Sequence, residues 1–419
     1  MDTKNYLGEV LGRRSDNMGI ITSGNLKVIS DLKIKYVTAL QIVSAAQKHG
    51  ECMVKGILED GTEAERILSD QKDIPVSIIG NGDTNEILFK GIVREAKICS
   101  ENSLYYIEMN IVTASELLDR KKNQRSFQNT LMTYKQVVEQ IVESYGGITV
   151  TFSDEAGNIL QEPLIQYGET DWEFLLRLGS RLHIPLFVNC FTGKPDFNFG
   201  MREGRKTGLE IADYHAGISS RYYETKSDSI AKADFLYYII ISDKAFQIGD
   251  CINIGTGNYT VFKKCATLVH EELKYTYWIG NSGNWHIPEI SQEQLIGMEF
   301  AGTVINTQAE KINLRLDIDG MHGGAEYEWD WMPVSGNIMY SMPEKGTSVR
   351  LCFGSETAIE GAAVVNAREN GVNASGEQNR TFTTGTGKKI EWYPAKLSLQ
   401  GGGGQTGISD NEKICFNST

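Results

Sequence analysis

The chain is 419 residues long, with 41 Lys+Arg against 54 Asp+Glu and a formal net charge of −13. At roughly 100–200 residues per domain, that length predicts about two to four domains. A content of 41% hydrophobic and 23% charged residues excludes wholesale disorder, and the acidic balance argues against binding nucleic acid or an anionic membrane through the outer surface. Glycine is abundant at 43 and proline scarce at 8, which suits many short strands joined by glycine turns. The longest apolar run, Phe235–Ile241, is far shorter than the ~20 residues of a membrane-spanning helix. Met1–Tyr6 shows no basic patch leading into an apolar core, so no secretory signal is expected. Cys52, Cys99, Cys190, Cys251, Cys265, Cys352 and Cys415 are scattered without a CxxC, which predicts free thiols rather than a disulfide framework or a zinc site.

Residues 1–30 are polar, glycine-punctuated and without period, as in an irregular arm. From Asp31 the pattern alternates, with Leu32, Ile34 and Tyr36 between lysines, which predicts a half-buried strand. A short helix is expected near Val37–Gln47. Val76–Ile79, the turn Gly80-Asn81-Gly82-Asp83, Ile87–Phe89, Gly91–Val93 and Leu104–Ile111 then predict a small barrel over 31–115. Two helices follow. Thr133 and Gln136 have capping-box spacing ahead of Val137, Val138, Ile141, Val142 and Tyr145, and Gly146-Gly147 supplies the stop. Thr170 and Glu173 repeat the spacing ahead of Leu175, Leu176 and Leu182, with Pro185 ending the pattern. Ile148–Phe152 is an expected strand between them.

From about Ser219 the pattern is β again: Phe235–Ile241, Gly249–Ile254, Tyr259–Phe262 and Leu273–Ile279. The order of elements over Phe89–Ile111 resembles that over Tyr259–Ile279, an internal repeat that is weak by letter. Polar residues 280–294 suggest a linker. Gly302–Ile305, Ile312–Leu316 and Gly346–Phe353 predict a third small barrel of the OB type. In the tail, 373–419, the doublets Ile390/Trp392, Leu397/Leu399 and Ile414/Phe416 each place two apolar side chains on one face of a short strand. One copy has too little chain to cover that face, and several copies wound together would cover it.

This order, with the stretch Gln166-Tyr167-Gly168-Glu169-Thr170-Asp171-Trp172-Glu173-Phe174-Leu175-Leu176-Arg177-Leu178, resembles the VgrG and contractile phage-tail baseplate hub-and-spike family. Gly302-x-Val304, Trp329–Val334, Gly346-x-x-Val349, Phe353-Gly354, Gly361 and Asn366 are similar to that family's spike OB domain. The resemblance implies a mainly β fold: two small hub barrels with an inserted α/β segment, then an OB-fold barrel and a short C-terminal β spike, as a trimer. It divides the chain into an arm (1–30), a first hub barrel (31–115), a helix-containing hub domain (116–218), a second hub barrel (219–285), a linker (286–294), an OB domain (295–372) and a β-helical spike stem (373–419). The implied role is structural and not enzymatic: capping the inner tube of a contractile injection system and forming its membrane-piercing spike. Partners implied are two further copies, inner tube and baseplate proteins, a tape-measure protein in the lumen, and the target membrane in passing. Assembly would occur in the bacterial cytoplasm, in a virion-like tail or extracellular contractile particle. The first 30 residues match nothing in the family. The tail is short against the family's needles, so either a separate tip protein completes the spike or the chain is truncated. The family's terminal iron-binding histidines have no counterpart, since no His lies beyond His322.

No cofactor, catalytic or metal-binding residue is expected. Residues expected to carry structure are Gln166, Tyr167, Glu169, Thr170, Asp171, Trp172, Phe174, Leu175, Arg177, Leu178, Gly302, Gly346 and Val349. Glu169 and Asp171 suit the positive helix N-terminus, and Trp172 and the leucines pack inward. The alternative function is a cell-wall-active enzyme or glycan-binding protein using Glu328, Trp329 and Asp330 as a carboxylate pair beside an aromatic. Against it, strand alternation puts Glu326, Glu328 and Asp330 together on one solvated face. His270, His286 and His322 lack metal-ligand spacing. Gly385–Lys389 lacks the spacing of a phosphate loop. Residues 296–372 hold five Lys+Arg and eleven Asp+Glu, so this segment alone carries 5 − 11 = −6.

Overall fold

The computed structural model describes residues 21–70, 72–81, 85–202, 204–208, 213–223, 225, 231–254, 257–333, 342–354, 362–368, 380–384, 386–401 and 404–409. Residues 1–20, the turn positions Gly82 and Asp83, and Val334, Gly361, Ile414 and Phe416 from the sequence expectations lie outside them. The chain divides into two compact units. One comprises Met1–Asn123, Leu131–Leu160 and Gln166–Ser291, and the other Gln124–Thr130, Gln161–Ile165 and Gln292–Thr419.

The first unit is built on a 12-stranded sheet. Its early strands are β1 (Leu26–Ile29), β2 (Ile34–Ala45), β3 (Glu51–Leu58), β4 (Pro75–Asn81), β5 (Asn85–Glu101) and β6 (Leu104–Val112). Burial alternates along them as period-2 patterning requires: Cys52, Val54 and Leu58 face the core from β3, and Ile107, Met109 and Ile111 from β6. The strands β7 (Lys122–Phe127) and β9 (Leu164–Thr170) each run across a boundary between the units, and β8 (Val150–Phe152), β10 (Leu186–Val188), β11 (Phe197–Phe199), β12 (Lys206–Gly208) and β13 (His215–Ile218) are short strands of the first. Then come β14 (Leu236–Ser242), β15 (Cys251–Ile254), β16 (Gly257–Val269) and β17 (Glu272–Gly280). The sheet order β1-β4-β5-β6-β3-β2-β16-β17-β14-β13 runs the strands of both expected hub barrels into one sheet through β2 and β16, which pair from Ala45↔Lys263 to Gln41↔Thr267.

The expected helix near Val37–Gln47 is therefore a strand. Its Ala39, Leu40 and Gln41 favour helix locally, but pairing with β3 on one side and β16 on the other outweighs a weak propensity. The helix of this region is α1 (Gly61–Ser69), capped by Asp60, whose Oδ1 accepts from the amides of Thr62 and Glu63 at 2.9 and 3.2 Å. The internal repeat has a structural counterpart: β5–β6 and β16–β17 are both long antiparallel hairpins. Each closes on two residues with positive φ, Asn102 (49°) and Ser103 (63°) in one, His270 (47°) and Glu271 (67°) in the other. Both capping-box helices are present, α2 (Tyr134–Glu143) and α3 (Asp171–Arg181). The stretch after Gly280 is not free of the unit, because Trp285 and Ile287 are buried. The six described cysteines are free thiols.

In the second unit, β18 (Glu299–Gln308), β19 (Lys311–Leu316), β20 (Glu328–Trp331), β21 (Ser348–Phe353) and β22 (Ala362–Arg368) close a barrel in the order β18-β19-β20-β22-β21. Phe300, Leu314, Trp329, Leu351 and Phe353 fill it, with Phe353 edge-on to both Phe300 and Trp329. The strands β23 (Arg380–Thr383), β24 (Lys389–Tyr393), β25 (Lys396–Gly401) and β26 (Gly404–Ser409) form an antiparallel meander.

Candidate functional site

Helix α3 carries the densest polar construction in the first unit. Thr170 Oγ1 accepts from the Glu173 amide at 3.1 Å, and the Glu173 carboxylate accepts from the Thr170 amide at 2.8 Å. Thr170 Oγ1 also donates to Asp119 Oδ1 at 2.5 Å. Gln166 Nε2 donates to Glu169 O, Thr170 O and Asp171 Oδ1 at 3.2, 3.1 and 2.9 Å, and Tyr145 OH donates to Asp171 Oδ2 at 2.8 Å. Arg177, only 2% exposed, donates through Nε and Nη2 to the two carboxylate oxygens of Glu169 at 2.8 and 2.9 Å. Its guanidinium also lies 4.9 Å from the Phe174 ring centre.

Trp172, Phe174, Leu175 and Leu178 pack inward, while Tyr167 is half-buried. The sequence read Glu169 as a partner of the helix N-terminus. Its main partner is Arg177, eight residues on, a pairing that no local spacing rule for helices reveals. These residues position backbone and bury charge.

A Ser–His–Asp juxtaposition lies beside this helix and was not legible in the sequence. His49 Nδ1 is 2.8 Å from Ser115 Oγ, and its Nε2 is 3.5 Å from Asp119 Oδ2. The ring lies 4.6 Å from that of Trp172. Burial pulls the His49 pKa below its usual value, with Asp119 opposing the shift. Ser115 Oγ continues to Thr113 Oγ1, which accepts from the Gly50 amide. Ser115 is fully buried, so its hydroxyl faces neighbouring protein and has no approach for a substrate. The arrangement ties the β2–β3 connection to the cap of α3.

In the second unit, Glu326, Glu328 and Asp330 are exposed on one face of their segment, as alternation requires, and Asp330 pairs with Lys311 across the strands. Trp329 points the other way, into the barrel. It is 1% exposed, and its Nε1 donates to Gln128 Oε1 at 3.1 Å. Gln128 Nε2 donates to Leu314 O and Gly324 O, both at 3.0 Å. Ser126 donates from its amide and hydroxyl to Asp319, whose pKa burial raises. An aromatic platform for a sugar must be open, and Trp329 is closed off.

Gly302 sits where a Cβ would lie 3.0 Å from Arg315 O and 3.2 Å from Leu316 Cδ2. Gly346 has φ of 85°, left-handed backbone that favours glycine. Val349 fills the barrel. Among the described residues no group of three His, Cys, Asp or Glu could hold a metal ion. Lys389 begins a strand, where a phosphate loop would lead into a helix.

The tail sheet presents a surface. Phe382 stands opposite Ile390, Ile390 opposite Leu399, Trp392 opposite Leu397, and Leu397 opposite Ile408. Directly opposed residues share a face, so one face carries Phe382, Ile390, Trp392, Leu397 and Leu399. On it Phe382, Ile390, Trp392 and Leu399 are 40–47% exposed.

Residues 67–186 match the family model for the phage tail baseplate hub (GPD). The fold is similar to that of the E. coli c3393 protein, a component of the type VI secretion system with structural similarity to the T4 tail proteins gp27 and gp5. That match has 14% identity and a TM-score of 0.55, over 81% of this chain and 98% of that one. It is similar also to a chain of the lidded Francisella PdpA–VgrG complex, at 9% identity and a TM-score of 0.61 over 99% of this chain and 82% of that one. The half-lidded form of that complex gives a TM-score of 0.60 at 9% identity, over 98% and 90% of the two chains. No curated protein sequence matches.

Proposed function

We infer that this chain, which carries a baseplate-hub segment within a VgrG-like fold, is the structural hub and central spike of a contractile injection system. Three copies assemble, with the sheets of the first unit capping the inner tube and the barrels and tails converging on the spike axis. In this reading the five-stranded barrel is of the OB type, and work comes from contraction of the surrounding sheath. Lasting partners are tube and baseplate subunits, a tape-measure protein in the lumen and a tip protein at the tail. The target membrane is met only in passing, and assembly precedes release from the bacterial cytoplasm.

The observation that carries the reading is the uncovered apolar face of the tail sheet. A single four-stranded meander leaves Phe382, Ile390, Trp392 and Leu399 against water, and two further copies supply the missing cover. Light scattering on the full chain tests it. The expected result is a trimer at micromolar concentration, reduced to monomer by Trp392→Asp with Leu399→Asp. A stable monomer for the unaltered chain refutes it. The glycan alternative has lost its aromatic platform to the barrel interior, and turnover of peptidoglycan by the purified chain would be needed to revive it.

A further inference from the structure

After the last strand of the first unit, the chain runs from Asn281 to Ser291 and passes at Gln292 into the C-terminal segment of the second unit. This strap is fastened at successive points. Asn284 Nδ2 donates to Asp234 O and Leu236 O, and Arg221 Nη1 donates to Asn284 O. Trp285 is buried edge-on to Phe187 and Phe262. Three further fastenings reach the C-terminal end of α3. The Ile287 amide donates to His183 O at 3.4 Å, His183 Nδ1–H donates to Ile287 O at 2.9 Å, and the Ile290 amide donates to Ser180 Oγ at 2.9 Å. Between them the rings of His183 and His286 stack, with centres 4.3 Å apart and planes 20° from parallel. His183 is itself in left-handed backbone, φ 56°, which turns its ring onto the strap.

We propose that the stacked His183–His286 pair is an acid-sensitive clasp on the strap that leads from the first unit into the C-terminal segment of the second. His183 Nδ1 donates to Ile287 O, which holds the His183 ring on the strap. The costly proton is the one that enters His286. That ring is half-buried and lies stacked against His183, so its charged form loses water without gaining an anion. The described partners of the two rings are each other and the Ile287 backbone; Arg221 bonds Asn284 O, two residues before His286. No carboxylate is among these described partners to offset the charge. Burial and His183 both hold the His286 pKa below its ordinary value.

With the strap lifted, His286 is free to protonate near its ordinary pKa of about 6.5. The closed clasp thus binds fewer protons than the open one. Opening is pH-independent well above 6.5 and rises, by at most about tenfold per pH unit, as pH falls below that value until the lowered pKa is crossed. The clasp depends on the first unit alone and stands apart from the assembly proposed above.

Hydrogen exchange on the full chain tests it, read at the Ile287 and Ile290 amides and corrected for the intrinsic pH dependence of exchange. Protection over 286–291 should fall at least about threefold between pH 7.5 and pH 5.0, while β17 amides at Leu273–Ile279 keep theirs. In His286→Phe, which retains the stack without a titrating group, protection should not change with pH. His286→Gln is the second neutral variant, and if one of the two fails to hold the strap at pH 7.5 the other decides. A wild-type strap equally protected at both pH values overturns the proposal. So does a fall that survives in the neutral variants. Light scattering on the same samples reports the trimer separately, so either reading can fail without the other.

Discussion

Removing the Glu169 carboxylate should be among the most damaging single changes in the first unit. Arg177 is 2% exposed, and two of its bonds, 2.8 and 2.9 Å, end on Glu169. Glu169→Gln keeps the volume but leaves a guanidinium in the interior without its counter-charge, at a cost of about 3–5 kcal/mol. Desolvation, more than a lost attraction, sets that magnitude. The double variant Glu169→Gln with Arg177→Met removes the stranded charge as well and should recover most of the loss. The double-mutant cycle should then give a coupling of about 2 kcal/mol or more. A chain of several units does not unfold in one step, so the assay is local: hydrogen exchange of the α3 amides. A cost below about 1 kcal/mol for Glu169→Gln would refute the reasoning, and so would a double variant no more stable than the single. Either result would mean that water reaches the guanidinium.

Trp172→Ala should cost about 3–5 kcal/mol in the same exchange assay, since a large buried side chain is removed between His49 and Phe197. Trp329→Ala should cost a similar amount, measured by exchange of β20 and β21 amides, because it empties the barrel and orphans the Gln128 carbonyl. Glu328→Gln should change stability by less than about 0.5 kcal/mol, the side chain being exposed. His49 should make the first unit acid-sensitive. Its pKa is lowered on folding, so the unfolded chain binds the proton more tightly, and the contribution present above pH ~6.5 is lost as pH falls below it. His49→Gln should flatten that part of the pH–stability profile.

What was legible in the sequence was local. The caps of α2 and α3 depend on residues three apart, and both appear as expected, Thr133 with Gln136 and Thr170 with Glu173. Strand alternation likewise placed Glu326, Glu328 and Asp330 on one face. The misreadings have long-range causes. Strand β2 is held by β16, more than 200 residues away, and no window around Val37–Gln47 contains that partner. Gln128 lies in a polar stretch that gives no sign of burial, yet the indole it holds is 201 residues later in the chain. The Glu169–Arg177 pair escaped because the glutamate precedes the helix and the arginine reads as one more polar helix former. His49 comes from the β2–β3 connection, while Ser115, 66 residues later, shares one short helical segment with Asp119, and the two stretches meet only once the sheet exists.

The buried charges also bear on what kind of work the chain does. A catalytic carboxylate needs a reactive oxygen left within reach of a substrate, commonly with a pKa moved toward neutrality. Four buried carboxylates among the described residues accept from fixed donors. Asp171 accepts from Gln166 and Tyr145, and Glu169 accepts both arms of Arg177. Asp196 accepts from the Thr149 amide. Asp250 accepts from Arg202 and from the amides of Arg205 and Gln247. Asp171, Asp196 and Asp250 tie together segments distant in sequence, and each of these bonds would be costly to break because its partner would be left buried without compensation. Such charges resist displacement of one element past another.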